Sequence, residues 1–144
     1  MAIFEFATAG RVRFGAGAAS EAPAIVAALG RRPLVVAGSD PARAEWLVDA
    51  LQALGCACTL LCVAGEPELA FAAGGADLAR RKGHDVVAAI GGGSALDAGK
   101  AIAALATNDG DPLQYLEVVG QGLPLAAAPL PIVAIRRRPG PDPK

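Results

Sequence analysis

Apolar residues along this chain fall into two kinds of run. Short stretches with little polar alternation, Leu34 to Ala37, Cys56 to Ala64, Val86 to Ile90 and Ile132 to Ile135, read as parallel strands, with Leu34 to Ala37 and Val86 to Ile90 buried. Between them lie longer segments with apolar residues at helical spacing, each closed by a glycine. These are Ala18 to Leu29 before Gly30, the segment that buries Leu47, Ala50, Leu51 and Leu54 before Gly55, and Glu68 to Lys82 before Gly83. Strands alternating with helices of about ten to fifteen residues specify an α/β fold, a doubly wound parallel sheet. Ahead of it, Ile3 to Thr8 and Arg11 to Phe14 flank Ala9-Gly10 and predict a β-hairpin at a sheet edge.

Local chemistry sharpens several of these elements. Asp40 followed by Pro41 is a good N-cap and first-turn pair for the second helix. Cys56 to Ala64 is apolar on both faces, which predicts a central strand. Gly74 and Gly75 interrupt the third helix at about 1 kcal/mol each relative to alanine, for close packing or a kink. Arg80, Arg81 and Lys82 fall in its last turn, where cations suit the helix dipole. After Asn108 to Asp111, a short helix from Asp111-Pro112 through Glu117 and an extended loop from Gly120 to Pro131 lead to the last strand.

The 144 residues make one domain with a core of Ala, Leu and Val, since there are only four Phe, one Trp and one Tyr. A net charge of −1 gives no general attraction for polyanions, so nucleic acid is not an expected partner. The longest apolar run, Leu123 to Ile135, is broken by Pro124, Pro129 and Pro131 and is too short to span a bilayer; with no signal-peptide pattern at the start, the cytoplasm is the expected location. Cys56, Cys58 and Cys62 share one strand face with Leu60 and read as reduced, buried thiols rather than a metal clip. The sole histidine, His84, precedes a strand, whereas ligands of such sheets collect at the carboxyl ends; a surface position is expected for it.

The chemistry concentrates at Gly91-Gly92-Gly93-Ser94, between the Val86 to Ile90 strand and an Ala-rich helical run with Ala95, Leu96, Ile102 and Leu105. Strand, glycines, helix is the geometry in which backbone N–H groups converge on a phosphate, and glycine is needed where a Cβ would block its approach. Ser94 is expected at the N-cap with Asp97 three residues on, and Asp97 and Lys100 share a helix face. A capped helix after a tight turn is the plainer reading; three consecutive glycines favour anion binding over it. A Walker A loop is excluded, because Ser94 stands where its first glycine belongs and Ala101 follows Lys100. The spaced Gly-x-Gly-x-x-Gly of a Rossmann turn is absent as well.

Gly-Gly-Gly-Ser-x-x-Asp-x-x-Lys, here Gly91 to Lys100, resembles the signature of the iron-containing (group III) alcohol dehydrogenases, with glycerol dehydrogenase and dehydroquinate synthase as more distant relatives. The resemblance runs from about Ile3 to Ile135. It implies a Rossmann-like cofactor domain over residues 1–135 that binds NAD or NADP. Gly92, Gly93 and Ser94 would take the phosphates, with Asp97 toward the nicotinamide and Gly91 and Lys100 completing the cofactor-binding motif. The glycines Gly15 and Gly17 would lie near the cofactor. On the loop after the Leu34 to Ala37 strand the family often places Asp directly, where this chain has Gly38; Asp40 is shifted, and can cap its helix, bind ribose hydroxyls or both. Which of NAD and NADP is preferred stays open at this point.

By the same resemblance, hydride passes between the nicotinamide and an alcohol or carbonyl substrate. A divalent metal, iron or zinc, polarises the substrate oxygen from a second, helical domain that supplies an Asp and three His. No catalytic or metal-binding residue is therefore expected within these residues, and no metal bound by them. Expected partners are a nicotinamide dinucleotide and, in full-length relatives, a small alcohol or carbonyl substrate, with a homodimer as a further option and no membrane. The alternative is a non-catalytic nucleotide- or anion-binding module.

The tail Arg136-Arg137-Arg138-Pro139-Gly140-Pro141-Asp142-Pro143-Lys144 has no periodicity, departs from the family and is expected to be disordered. The family strand continues as Pro-Thr-Thr-Ala-Gly-Thr-Gly-Ser-Glu. With Ile135 as ATC and the tail as CGA CGA CGG CCG GGA CCG GAT CCG AAG, reading from the last base of the Ile135 codon gives CCG ACG ACG GCC GGG ACC GGA TCC GAA. That encodes the whole family motif. The third bases are chosen, whereas the second and third positions of each shifted codon follow from the residues present. A reading-frame change that cuts the chain off from its metal domain is the expectation. The nucleotide sequence tests it: the shifted frame downstream must encode an Asp and three His at helical spacings.

Overall fold

A computed structural model describes residues 17–111, 125 and 127–136. The predicted hairpin, the short helix after Asp111 and the tail beyond Arg136 lie outside the described residues, as does most of the loop before the last strand. The chain enters through a 3-10 turn, Ala18–Glu21, and continues as α1, Ala22–Leu29. There follow β1 (Pro33–Ala37), a second 3-10 turn (Pro41–Ala44) leading into α2 (Glu45–Ala53), β2 (Thr59–Cys62) and α3 (Leu69–Lys82). The series closes with β3 (Val86–Gly91), α4 (Gly93–Ala106) and β4 (Ile132–Arg136).

All four strands pair in parallel, in the order β2-β1-β3-β4. Alternating side chains of the two central strands divide the core into two layers. Leu34, Val36, Val87 and Ala89 pack under α3 and α4, together with Ala76, Ala98 and Ile102. Val35, Ala37, Val86, Ala88 and Ile90 face α1 and α2, against Val26, Leu47 and Leu51. Every residue of β1 is buried, as are the first five of β3, which is why their sequences carry no polar alternation. Each fully buried valine or leucine here contributes about 1.5–3 kcal/mol by leaving water.

Two close approaches explain glycines inside helices. A Cβ at Gly99 of α4 would lie 2.6 Å from the Cβ of Ala89, so the helix sits almost on the backbone of β3. A Cβ at Gly75 of α3 would lie 2.5 Å from Cδ1 of the fully buried Ile102, so this glycine lets α3 and α4 pack together. Gly74, exposed beside it, meets nothing within 4 Å among the described residues. The pair therefore separates packing from helix propensity. Gly74→Ala is expected to raise the unfolding free energy by about 0.5–1 kcal/mol. Gly75→Leu is expected to lower it by about 1–3 kcal/mol through overpacking. Urea unfolding of the two variants checks both signs.

The amino end of the sheet is tied by Asp85, whose carboxylate accepts the backbone N–H groups of Arg31 (3.1 Å) and Arg32 (2.9 Å). Gly30 makes room for it, since a Cβ there would lie 2.4 Å from Asp85 Oδ1. Asp85→Ala removes two charge-assisted bonds at an exposed position and is expected to cost about 1–2 kcal/mol in the same unfolding experiment. The far end of α4 is held differently. The Asn108 side chain is buried and exchanges two bonds with the backbone of Ala127, while Arg80 donates to the Leu105 carbonyl at 2.7 Å.

Four expectations need correction. The Cys56 to Ala64 stretch supplies only the four residues of β2, which is the outer strand of the described sheet and half-buried throughout. Its apolar pattern reports that helices cover both of its faces, which does not require a strand on both of its edges. Leu54 is 44% exposed, because α2 ends before it and the chain turns away at Gly55 (φ +84°). His84 is buried, with Nδ1 2.8 Å from the Arg32 carbonyl and Nε2 without a hydrogen-bond partner among the described residues. The fourth correction concerns Ser94 and belongs to the site below.

Candidate functional site

The chain leaves β1 toward β2 on one side and β3 toward β4 on the other. The carboxyl ends of β1 and β3 therefore bound a crevice at the point where the winding reverses, the place where open α/β sheets bind ligands. Two glycines line it. Gly38 follows β1, Gly91 ends β3, and a Cβ on Gly91 would lie only 3.7 Å from the Gly38 nitrogen. Gly91 has φ +139°, a backbone that side-chain-bearing residues rarely adopt, and it directs the chain from the strand into α4.

Gly92 is the N-cap of α4, in an extended conformation, and its carbonyl accepts the first helical bond from Leu96 at 3.2 Å. Ser94 thus stands inside the first turn and makes no side-chain cap, contrary to the expected capping box with Asp97. The turn at Gly91 brings the helix start forward by two residues. The consequence favours ligand binding: among the described residues no side chain satisfies the first N–H groups of α4, which by helix geometry have no partner within the helix. Gly92 and Gly93 are exposed, and a Cβ on either meets nothing within 4 Å among the described residues. Among the described residues, packing does not require these glycines. They leave open a surface where backbone N–H groups and the positive end of the helix dipole face solvent.

Asp97 and Lys100 lie further along α4, both exposed, and no ion pair joins them among the described residues. On the β1 side, Asp40 caps the 3-10 turn by accepting the Ala42 N–H at 3.0 Å. Its second oxygen lies 3.8 Å from Arg43 Nε. The structure thus groups Gly38 with Gly91, Gly92, Gly93 and Ser94 at one crevice and places Asp40 two residues from Gly38.

The cysteines and the histidine lie apart from this loop. Cys56 is buried; Cys58 and Cys62 are half-buried and pack with Leu60 against the α1–α2 layer, all three as free thiols. Burial, and next the neighbouring Cys56, hold the Cys58 thiol above its ordinary pKa, which keeps it protonated and unreactive. His84 sits before β3, at the end of the sheet opposite the glycine loop. No group of three or more His, Cys, Asp or Glu among the described residues could hold a metal ion. None of the described helices is long and apolar enough to cross a membrane.

The sequence model of the iron-containing alcohol dehydrogenases matches residues 9–140. The chain belongs to that family. Solved members and relatives share its fold. Sulfoacetaldehyde reductase from Bifidobacterium kashiwanohense, solved in complex with NAD+, is 27% identical with a TM-score of 0.70, over 92% of this chain and 35% of its own. A 1,3-propanediol oxidoreductase is 29% identical with a TM-score of 0.70, over 85% of this chain and 32% of its own. The NADH-dependent butanol dehydrogenase A of Thermotoga maritima, 21% identical, has the same fold with a TM-score of 0.67, over 93% of this chain and 34% of its own. The chain spans about a third of the length of these proteins. Among curated protein sequences there is no significant match. As a member of the iron-containing alcohol dehydrogenase family, the chain carries a dehydrogenase-type cofactor-binding domain.

Proposed function

We propose that this domain binds a nicotinamide dinucleotide, NAD or NADP, with the pyrophosphate on the N–H groups of Gly92, Gly93 and Ser94. The observation that carries the reading is the open surface at Gly92 and Gly93, at the head of α4 and at the reversal point of the sheet. A Cβ at either position would fill the space a phosphate needs. The NAD+ complex of the sulfoacetaldehyde reductase supports the choice of ligand. The dinucleotide supplies the hydride chemistry; the residues of this chain bind and orient it. Gly38 lets the adenosine half pass close to the backbone of β1, and Asp97, exposed one turn into α4, lies toward the nicotinamide.

In the whole family protein the reaction so served is hydride transfer between the dinucleotide and an alcohol or carbonyl compound. Among the described residues no cluster of His, Cys, Asp or Glu fits the family's metal. His84, the sole histidine, is buried away from the loop with Nδ1 held by Arg32. The 144 residues alone should therefore bind the dinucleotide without turning it over. A thermal-shift titration with NADH, NADPH and ADP-ribose is expected to show saturable stabilisation by all ligands carrying the pyrophosphate and none by adenosine. Equal stabilisation by adenosine, or none by any of them, would contradict the reading.

A further inference from the structure

The glycine loop has a second neighbour in the sheet, on the side away from Gly38. β4 runs parallel to β3 in a register that sets Arg136 beside Gly91, the glycine that turns the chain into α4. Neighbouring strands lie about 4.8 Å apart, a gap that an arginine side chain can span. The face it takes follows from alternation along β4. Val133 and Ile135 belong to the α1–α2 layer, and Ile132 packs with the α3–α4 layer. Arg136, four residues from Ile132, therefore stands on the face that α4 covers, at the end where α4 begins. It is exposed, and among the described residues its side chain forms no hydrogen bond or ion pair.

We propose that Arg136 is a ligand-binding residue of the dinucleotide site, its guanidinium pairing with the pyrophosphate from the β4 side while the head of α4 holds it from the other. The inference rests on the dinucleotide reading above. The head of α4 offers backbone donors and a partial positive charge, and no full one. Each phosphate of a pyrophosphate is an anion, yet Gly91 to Ser94 have no charged side chain to meet it. Lys100, the cation of the motif, stands seven residues beyond Gly93, about 10 Å down the helix axis. Arg136 fills that gap: its guanidinium is charged at every working pH and presents paired N–H donors to phosphate oxygens. It is also the first residue of the tail that departs from the family, so the contact belongs to this chain and not to the shared motif.

The test is calorimetric titration of the full chain with NADH and with ADP-ribose, at low and at physiological salt, for wild type, Arg136→Gln and Arg136→Lys. The side chain is exposed at the end of a strand, so both variants should unfold at the wild-type urea midpoint. Arg136→Gln is expected to weaken both ligands by about tenfold and to lose part of the salt dependence of wild type. Arg136→Lys should keep the salt dependence and recover part of the affinity, since the charge returns without the planar fork. ADP-ribose keeps the pyrophosphate and lacks the nicotinamide, so a loss confined to NADH overturns the pairing with phosphate. Unchanged affinity and salt dependence in Arg136→Gln overturns the role of Arg136 and leaves the glycine-loop site standing. Failure of wild type to bind either ligand overturns the site itself, and the inference with it.

Discussion

Gly99→Val is expected to lower the unfolding free energy by about 3 kcal/mol or more, the largest stability loss of any single substitution considered for this chain. The reason is the 2.6 Å between a Cβ at Gly99 and the Cβ of Ala89. Ala89 sits in the middle of β3, fully buried and paired with Val36 on one side and Ala134 on the other, so it cannot yield. Ile132 Cδ1 at 3.5 Å and Val87 Cγ1 at 3.6 Å close the remaining directions. The helix must lift from the sheet, which loosens the layer built on Ala95, Ala98 and Ile102. Gly99→Ala should lose stability too, although alanine gains about 1 kcal/mol of helix propensity. Urea unfolding reads this as a lower midpoint at unchanged slope. A gain in stability for Gly99→Ala would show that α4 does not pack as closely as described.

Gly93→Val should do the opposite: keep the fold and abolish dinucleotide binding. A Cβ at Gly93 touches nothing within 4 Å among the described residues, and the position is the first residue of α4, exposed. Stability should stay within about 0.5 kcal/mol, as for other exposed sites. The valine methyls occupy the space in front of the helix N–H groups, and the dissociation constant should rise at least about a hundredfold, equivalent to about 3 kcal/mol. The two glycines lie in the same helix, six positions apart, and are held to glycine for unrelated reasons. One is demanded by the sheet beneath it; at the other, packing demands nothing among the described residues, and the proposed ligand does. A Gly93→Val protein that unfolds early, or that binds NADH as wild type does, contradicts this division.

Much of the architecture was legible because buried strands and glycine-closed helices leave strong patterns. Leu34 to Ala37 and Val86 to Ile90 lie inside β1 and β3, at the centre of the sheet and buried throughout. The strand–glycine–helix unit was readable for the same reason, since three adjacent glycines have few structural uses. What the pattern could not convey was anything set by tertiary neighbours. Position in the sheet is one case: β2 looks central in sequence because both of its faces are covered, yet it pairs only with β1 among the described strands. His84 is another; its burial comes from Arg32, whose carbonyl takes Nδ1, and from Ala79, whose carbonyl accepts the His84 N–H at 2.9 Å, contacts invisible along the chain.

The site was legible in its residue types and misjudged in its local geometry. Ser94 followed by Asp97 has the spacing of a capping box, but the positive φ of Gly91 starts the helix at Gly93 and moves Ser94 off the cap. That shift could not be read from spacing alone, since it depends on how sharply the glycine turns the chain. Asp40 was recognised both as a cap and as a candidate for the ribose; the structure shows the cap, and beside it Arg43. For the glycines of α3 the sequence left close packing and a kink both open. Gly75 acquires one from Ile102 on the neighbouring helix, and Gly74 has none in the structure either.

The central claim is that a dinucleotide phosphate rests on the N–H groups at the head of α4. Backbone amide chemical shifts, followed by NMR while NADH is added to the isotope-labelled chain, test it at the atoms concerned. The largest perturbations are expected at Gly92, Gly93 and Ser94, with a second, smaller group at Gly38, Ser39 and Asp40. Perturbations that cluster instead around Asp77, Arg80 and Asn108 at the far end of α4, or the absence of any at saturating NADH, would contradict it.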